Sequence, residues 1–226
     1  MELSAVEFTG DWGVNVTSAL GENTKTRQQA LNDNNVQYNV ALGMFLDANE
    51  TQAQADLPHY EVMVWLSYSY NVYPVGIDTS SLDKDQYIVN GTRFFLYHGN
   101  NTQGQTVCSW LPENNLTHTS GDFSPLVHYL WQFNFMPQNI YLGTIQFGTE
   151  TFHATSEVSF SAGNYSLSIS HDENLQVPKL EAPKLVKIPD QVPTMARFES
   201  GVSPGALHRP CLMAFLILST LLVLHC

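Results

Sequence analysis

The stretch HYEVMVWL, residues 59–66, combines a β-strand pattern with a carboxylate. Period-two alternation places Val62 and Val64 on one face, and Glu61 with Trp65 on the other. The first face is typical of a core, whereas the second holds an ionisable group beside an indole. The ordinary interpretation is an exposed strand with a solvated Glu, since charged side chains mostly lie in water. A functional role for Glu61 therefore needs further support from the sequence.

Similar short strand patterns recur from Asn35 to about Ser170. They are VQYNVALGMFL, YEVMVWLSY, TRFFLYHG, QTVCSWL, IYLGTIQFG, SEVSFSA and YSLSIS. Turn-rich stretches such as HGNNTQGQ and PENNLTHTSGD separate them. Many short strands at this spacing predict an all-β fold, a sandwich or jelly roll of two packed antiparallel sheets.

One segment, DFSPLVHYLWQF, departs from the strand pattern. Its large apolar residues recur at helical spacing: Phe123, Leu126, Val127, Leu130 and Trp131. We therefore expect a single helix packed on a sheet.

Changes in composition divide the chain into four segments. Residues 1–35 look polar and irregular, and residues 36–173 carry the strand patterns. Residues 174–210 are rich in Pro, which removes ladder donors and favours extended backbone, and this predicts a linker or stalk. Residues 211–226, CLMAFLILSTLLVLHC, form a hydrophobic tail.

The charge balance excludes several kinds of partner. Asp and Glu outnumber Lys and Arg by 21 to 9, giving a net charge of -12. This argues against nucleic acid and anionic membrane surfaces. Cys108 lies in a predicted strand and is expected to be a buried small hydrophobe. The sequence contains no phosphate-binding loop or metal-ligand spacing, so we predict neither a cofactor nor a metal.

Two features point to the cell surface. N-x-S/T sequons predict N-glycosylation at Asn15, Asn49, Asn90, Asn100, Asn115 and Asn164. The apolar tail is short for a spanning helix, which needs about 20 residues. Small residues at 200–203 and a polar spacer precede it, which is the layout of a glycosylphosphatidylinositol (GPI) anchor signal. A tail-anchored membrane segment is the alternative.

The N-terminus lacks the matching entry signal. MELSAVEFTGDWGV has no basic n-region and no apolar h-region, so it is not a secretory signal peptide. An anchor signal and sequons without an entry signal predict an incomplete chain.

A second carboxylate interrupts the strand TIQFGTETF, residues 144–152. Gln146, Gly148 and Glu150 alternate with apolar residues, so this Glu also shares its face with polar and small side chains. Two strands with one Glu each on a non-core face make a two-carboxylate site conceivable.

Several motifs occur together in a fixed order. They are YEVMVWL, YPVG, NGTRFFLYHG, HYLWQF and QFGTETF, spread over roughly residues 36–170. In this combination the chain resembles glycoside hydrolase family 12, which comprises fungal and bacterial endo-β-1,4-glucanases and xyloglucan-specific endoglucanases. The resemblance implies a β-jelly roll with an open cleft.

The resemblance also implies the site. Glu61 would be the nucleophile and Glu150 the acid/base of a retaining hydrolase, whose carboxyls lie about 5–5.5 Å apart. Met63 and Trp65 would line the cleft. Further candidate substrate-binding residues are Tyr73 and Gln146.

Two departures from the family pattern reduce the expected activity. Family members carry an upstream Asp that hydrogen-bonds the nucleophile, and the segment ALGMF places Gly43 at that position. Asp47 has the same parity but lies about 13 Å further along the strand at about 3.3 Å per residue. In addition, the N-terminal strands of the jelly roll have no clear counterpart and are expected to be missing. We therefore predict weak or undetectable hydrolysis.

The sequence thus predicts a β-1,4-glucan hydrolase that acts within the polysaccharide chain, with cellulose-type glucan and xyloglucan both as candidate substrates. The alternative is a catalytically inactive, GPI-anchored cell-wall glucan-binding protein, and a third possibility is an adhesive surface glycoprotein. In each case we expect a monomer at the cell surface.

Overall fold

The computed structural model describes residues 3–19, 26–69, 71–77, 83–172, 177, 179–180 and 186–187. Its strands are β1 (Leu3–Val16), β2 (Gln37–Asp47), β3 (Tyr60–Tyr68), β4 (Asp83–Lys84), β5 (Gln86–Val89), β6 (Thr92–Asn100), β7 (Thr106–Pro112), β8 (His118–Asp122), β9 (Tyr141–His153), β10 (Val158–His171) and β11 (Val186–Lys187). Its helices are α1 (Arg27–Asp33), α2 (Glu50–Ala53) and α3 (Ser124–Gln132), and a 3₁₀ turn spans Thr17–Ala19.

The strands form two main sheets. The larger has six strands in the order β5-β6-β7-β3-β2-β9, and the smaller has three in the order β10-β1-β8. Neighbours are antiparallel except β3 and β7, which run parallel. A two-residue ribbon pairs β11 with β4. The predicted all-β class with two packed sheets is confirmed.

The main core lies between these sheets. The predicted apolar face of β3 is fully buried there, with Val62 and Val64 at most 1% exposed. Cys108 is buried as expected, and burial raises the pKa of its thiol to about 12. The helix predicted over DFSPLVHYLWQF is α3, and all five of its spaced apolar residues are buried.

The prediction that residues 1–35 are irregular is wrong. Residues Leu3–Val16 form β1, the central strand of the smaller sheet, so the folded domain begins well before residue 36. The even positions from Val6 to Val16 are apolar or Gly and face the core, whereas the odd positions are polar except for the buried Gly13. This is the alternation of a half-buried strand. Gly10 on the core face and Gly13 at an outward position interrupt this alternation in the sequence.

The prediction of a single helix is also wrong, since the described residues include two more. In α1, Thr26 accepts from the backbone N–H of Gln29, whose side chain accepts from the Thr26 backbone N–H, which is a capping box. In α2, Asn49 provides the N-cap. Helices of seven and four residues are too short to show a clear hydrophobic period.

Part of the predicted stalk contacts the domain. Besides the β11–β4 pairing, the backbone N–H of Leu180 donates to the Gln132 Oε1 at 2.8 Å. The segment 174–210 is therefore not a free linker throughout, because backbone donors at these points find partners on the domain. The predicted tail 211–226 lies outside the described residues. No described helix is long and apolar enough to span a membrane.

Candidate active site

The candidate site occupies the face of the six-stranded sheet that points away from the main core, here called the site face. Alternate residues of β2, β3 and β9 project from it. They are Asn39, Ala41, Gly43 and Phe45 of β2, Glu61, Met63 and Trp65 of β3, and Gln146, Gly148 and Glu150 of β9. The predicted placement of both Glu residues on one non-core face is confirmed.

The two carboxylates lie on either side of β2. Glu61 pairs with Phe45, and Glu150 pairs with Asn39, six positions away along β2. In a flat strand this offset would correspond to about 20 Å at about 3.3 Å per residue. The negative charge of Glu150 nevertheless raises the pKa of Glu61, so the two carboxyls lie within reach of each other's charge.

Glu61 is a half-buried residue whose carboxylate accepts no hydrogen bond from the described residues. Burial raises its pKa to about 7, and the charge of Glu150 contributes in the same direction. Within the described part of the chain, no residue donates a hydrogen bond to its carboxylate. A carboxyl without donors in a partly buried site favours its protonated form.

Glu150 has a different environment. Burial raises its pKa, but a hydrogen bond from Asn39 acts in the opposite direction. The Asn39 Nδ2 donates to the Glu150 Oε2 at 2.5 Å, and the Glu150 backbone N–H donates to the Asn39 Oδ1 at 3.2 Å. Asn39 is therefore held by Glu150 at both ends of its amide.

The structure leaves room where the resemblance leads us to expect an Asp. Gly43 pairs with Met63 on one side and Gln146 on the other. A Cβ at Gly43 would meet only the Phe45 Cε2, at 3.9 Å. Asp47 does not replace the missing carboxylate, because its two oxygens accept backbone N–H bonds in the β2–β3 connection.

The predicted substrate-binding residues differ in exposure. Met63 and Gln146 are half-buried on the site face, and Tyr73 is half-buried in the connection after β3. Trp65 is only 3% exposed and packs on Tyr68, with ring centroids 5.7 Å apart. Trp65, which is predicted to line the cleft, has its indole covered by a second apolar cluster.

This second cluster closes part of the site face. The segment 71–77 crosses β6, and its residues Val72 and Ile77 pack on apolar side chains of β3, β6 and β7. Gly76 and Gly99 approach closely at the crossing. The remaining accessible part of the site face is formed by β3, β2 and β9, which carry Glu61 and Glu150.

Asn39 is the site residue that the sequence did not reveal. Its parity matches that of Gly43, which was the available signal, but a neutral amide at the start of an apolar run carries no sign of function. Its partner Glu150 is 111 residues away in the chain. No group of three or more His, Cys, Asp or Glu side chains in the described ranges could hold a metal ion.

Comparison with protein-family models shows to which family this chain belongs. The model described as "Glycosyl hydrolase family 12" matches residues 14–170, more than half of the chain. The chain belongs to glycosyl hydrolase family 12. This confirms the predicted resemblance and extends it into the last residues of β1.

Curated relatives in glycosyl hydrolase family 12 are longer than this chain. The xyloglucan-specific endo-beta-1,4-glucanase A of Aspergillus niger is 28% identical over 166 residues, which cover 74% of this chain and 64% of the relative. Endoglucanase A of Aspergillus kawachii is 30% identical over 142 residues, covering 61% of this chain and 56% of the relative. The chain thus spans about two thirds or less of the relatives it matches.

Solved structures support the jelly-roll fold of family 12. Trichoderma harzianum endoglucanase 3 from family GH12 has a TM-score of 0.56 at 23% identity, covering 74% of this chain and 64% of that chain. A family 12 xyloglucanase from Bacillus licheniformis, in complex with ligand, has a TM-score of 0.56 at 16% identity, covering 74% and 62%. The predicted β-jelly roll is confirmed.

Proposed function

We propose that this chain is a retaining hydrolase that cleaves β-1,4-glucan within the polysaccharide chain, with Glu61 as the nucleophile and Glu150 as the acid/base. The observation that carries the proposal is electrostatic. Two carboxyls from separate strands share the site face of a family 12 fold, close enough for the charge of Glu150 to raise the pKa of Glu61. Glycoside hydrolases typically use two such interacting carboxyls as their catalytic groups.

The proposed reaction has two steps. The ionised Glu61 attacks the anomeric carbon while Glu150 protonates the leaving glycosidic oxygen, which gives a covalent glycosyl-enzyme. Glu150, now a carboxylate, takes a proton from water, and the resulting attack releases the sugar with its anomeric configuration retained. We predict that the two carboxyls lie about 5–5.5 Å apart in a complex with a glucan fragment.

The part of the site face that lies between the two Glu residues has the small side chains that an extended polysaccharide needs. Gly43 on β2 and Gly148 on β9 lie on the site face, and a Cβ added at Gly148 would meet no atom within 4 Å. The relatives carry the names of a xyloglucan-specific glucanase and an endoglucanase. Both branched xyloglucan and linear β-1,4-glucan are therefore proposed substrates.

The test is hydrolysis by the full chain and three matched variants. We expect weak wild-type activity, measured at high enzyme concentration and long incubation, and we expect Glu61→Gln and Glu150→Gln each to lower the release of reducing ends from xyloglucan or soluble cellulose by at least about 100-fold. Glu157→Gln is the control, because Glu157 is exposed in the turn between β9 and β10. Proton NMR of the first-formed product should show the retained anomer. Equal loss in all three variants, or inverted product, would overturn the proposal.

We also propose a cell-surface location from the six N-glycosylation sequons and from the hydrophobic residues 211–226. Five of the six sequon Asn residues are exposed, and Asn15 is half-buried. The mature protein would be a secreted, N-glycosylated monomer held by a GPI anchor, with the hydrophobic tail removed. A phospholipase specific for the inositol anchor should release it from membranes. Recovery of FLILSTLLVLHC from mature protein would instead indicate a tail anchor.

A further inference from the structure

We propose that segment 71–77 is a lid over one end of the site face, and that the C-terminal segment latches this lid through the pairing of β11 with β4. The described residues of that C-terminal segment are here called the strap: Val177, Lys179, Leu180, Val186 and Lys187. The opening and latching do not depend on the substrate. That the uncovered end of the site face then receives sugar rests on the proposed function.

Two polar groups in or beside the second cluster have no hydrogen-bond partner. The Trp65 Nε1 and the Ser109 Oγ are buried and unpaired within the described part of the chain. Both lie on the site face, since Ser109 pairs with Met63 of β3 and with Tyr97 of β6. A buried donor without an acceptor costs free energy, because water would otherwise accept from it. Opening of segment 71–77 admits water, or the hydroxyls of a sugar, and relieves this cost.

The strap is held on the domain by backbone contacts. β11 pairs with β4, which places Lys187 opposite Asp83. Opposite charges at paired positions favour such a ribbon. The backbone N–H of Leu180 donates to the Gln132 Oε1 at 2.8 Å, and Leu180 packs against the main core. The strap therefore has a defined place beside α3 and β4.

The distribution of charge favours this docking. Residues 1–173 carry 18 acidic and four basic side chains, whereas residues 174–210 carry three acidic and five basic ones. An acidic domain attracts a basic segment of the same chain over a distance. This attraction brings the strap to the domain, and the pairing of β11 with β4 then fixes its position.

β4 connects the strap with segment 71–77. Both β4 and segment 71–77 belong to the connection between β3 and β5. The Lys84 Nζ lies 5.2 Å from the centroid of the Tyr97 ring, and Tyr97 lies in the second cluster together with Val72. An isolated two-stranded ribbon is only marginally stable, so this latch opens at low cost. Release of β11 frees β4 and, with it, one end of segment 71–77.

A disulfide across the latch tests this coupling within one molecule. Cα partners in antiparallel strands lie about 4.5–5.5 Å apart, a distance that a disulfide spans. Lys84→Cys with Val186→Cys joins two such partners. The full chain also carries Cys211→Ser and Cys226→Ser, and Cys108 is left because it is buried. Oxidation locks the latch, and reduction releases it.

The measurement is hydrogen exchange of the indole N–H groups, followed by ¹⁵N NMR. The Trp110 Nε1 is also buried without a described partner, but it lies in the main core and reports the separation of the sheets. We expect the Trp65 indole N–H to exchange at least about tenfold faster than that of Trp110 in the reduced protein. Oxidation should slow Trp65 by about tenfold or more and Trp110 by less.

A second disulfide separates the latch from general stabilisation. Ile88→Cys with Arg93→Cys joins paired positions of β5 and β6, away from the strap. This control disulfide should change the exchange of Trp65 and Trp110 by the same factor. Equal exchange rates of the two indoles in the reduced protein, or equal slowing of both by the latch disulfide, would overturn the proposal.

Binding of a soluble β-1,4-glucan oligosaccharide provides the second readout. The latch variant also carries Glu61→Gln, so that no turnover is needed. Oxidation should weaken binding on the order of tenfold, because only the open fraction offers the covered end of the site face. Equal binding in both redox states would overturn the assignment of that end to the substrate. A chain that binds no glucan in either state but shows the expected exchange would refute the proposed function and support the latch.

Discussion

Glu61 illustrates at the scale of one residue how a functional carboxyl opposes stability. Its carboxylate is half-buried, receives no hydrogen bond within the described ranges, and lies near a second negative charge. Each of these features disfavours the ionised form in the folded protein but not in the unfolded chain. The ion that would attack the sugar is therefore held at a cost to folding.

This cost predicts a pH-dependent effect of Glu61→Gln on stability. The folded protein raises the pKa of Glu61 from 4.5 to about 7, so between these values it binds a proton that the unfolded chain has lost. Stability therefore falls as pH rises through this window. We expect Glu61→Gln to increase the free energy of unfolding at pH 8 by up to about 3 kcal/mol, and to change it little below pH 4.5.

Urea unfolding of wild type and variant at several pH values provides the measurement. Glu157→Gln, at an exposed position, is the reference for a change from Glu to Gln. A constant difference between Glu61→Gln and wild type from pH 4 to pH 8 would mean that ionisation of Glu61 is not the source of the effect.

The sequence predicted the two Glu residues but not the Asn39 side-chain amide that contacts Glu150. Strand parity and motif order are local properties, and they were sufficient to place Glu61 and Glu150 on one face. The contact of Asn39 with Glu150 depends on the register of β2 against β9, which is set by packing between distant segments. The covering of Trp65 likewise depends on where the segment 71–77 crosses the sheet.

Strands and helices were predictable where their hydrophobic periodicity was regular over several residues. The sequence of β3 alternates from Glu61 to Val64, and α3 carries Leu126, Val127, Leu130 and Trp131 at helical spacing; both elements were predicted correctly. β1 has the same alternation, but Gly and short polar residues dilute it, so it was missed. α1 and α2 depend on capping rather than on an apolar stripe, which makes them difficult to detect in the sequence.

The crossing of segment 71–77 over β6 makes a prediction about two glycines. Gly76 and Gly91 both have a φ of 77°, a conformation that costs an L-residue about 1–2 kcal/mol. A Cβ at Gly76 would overlap the His98 carbonyl, whereas a Cβ at Gly91 would meet nothing within 4 Å. We expect Gly76→Ala to lower the free energy of unfolding by about 1–3 kcal/mol more than Gly91→Ala.

Chemical denaturation of both variants isolates the packing effect, because the backbone cost is common to them. Gly76→Ala should also increase the exposure of the second cluster, which near-UV circular dichroism of Trp65 and its aromatic neighbours would report. Equal destabilisation by the two substitutions would show that segment 71–77 is not packed firmly on β6.

At the scale of the whole molecule, the jelly roll has two long edges. Among the described strands, β9 pairs only with β2, and β10 pairs only with β1. Aromatic side chains remain exposed on these strands, with Phe152 at 41% and Tyr165 at 43%. Unpaired strand edges with apolar residues are sites of association between chains. The net charge of -12 opposes such contact by mutual repulsion.

These opposing forces predict a salt-dependent oligomeric state. The Debye length falls from about 30 Å at 0.01 M salt to about 3 Å at 1 M, so added salt screens the repulsion but leaves the apolar edges unchanged. In sedimentation velocity we expect a monomer at low salt and larger species at high salt. Phe152→Lys with Tyr165→Lys should suppress the larger species more than two Lys substitutions elsewhere, such as Leu57→Lys with Ile88→Lys, at exposed positions off these two strands. Every variant keeps the same C-terminal tail, so a difference between the pairs reports the β9 and β10 edges. Equal suppression by both pairs would assign the association to net charge alone.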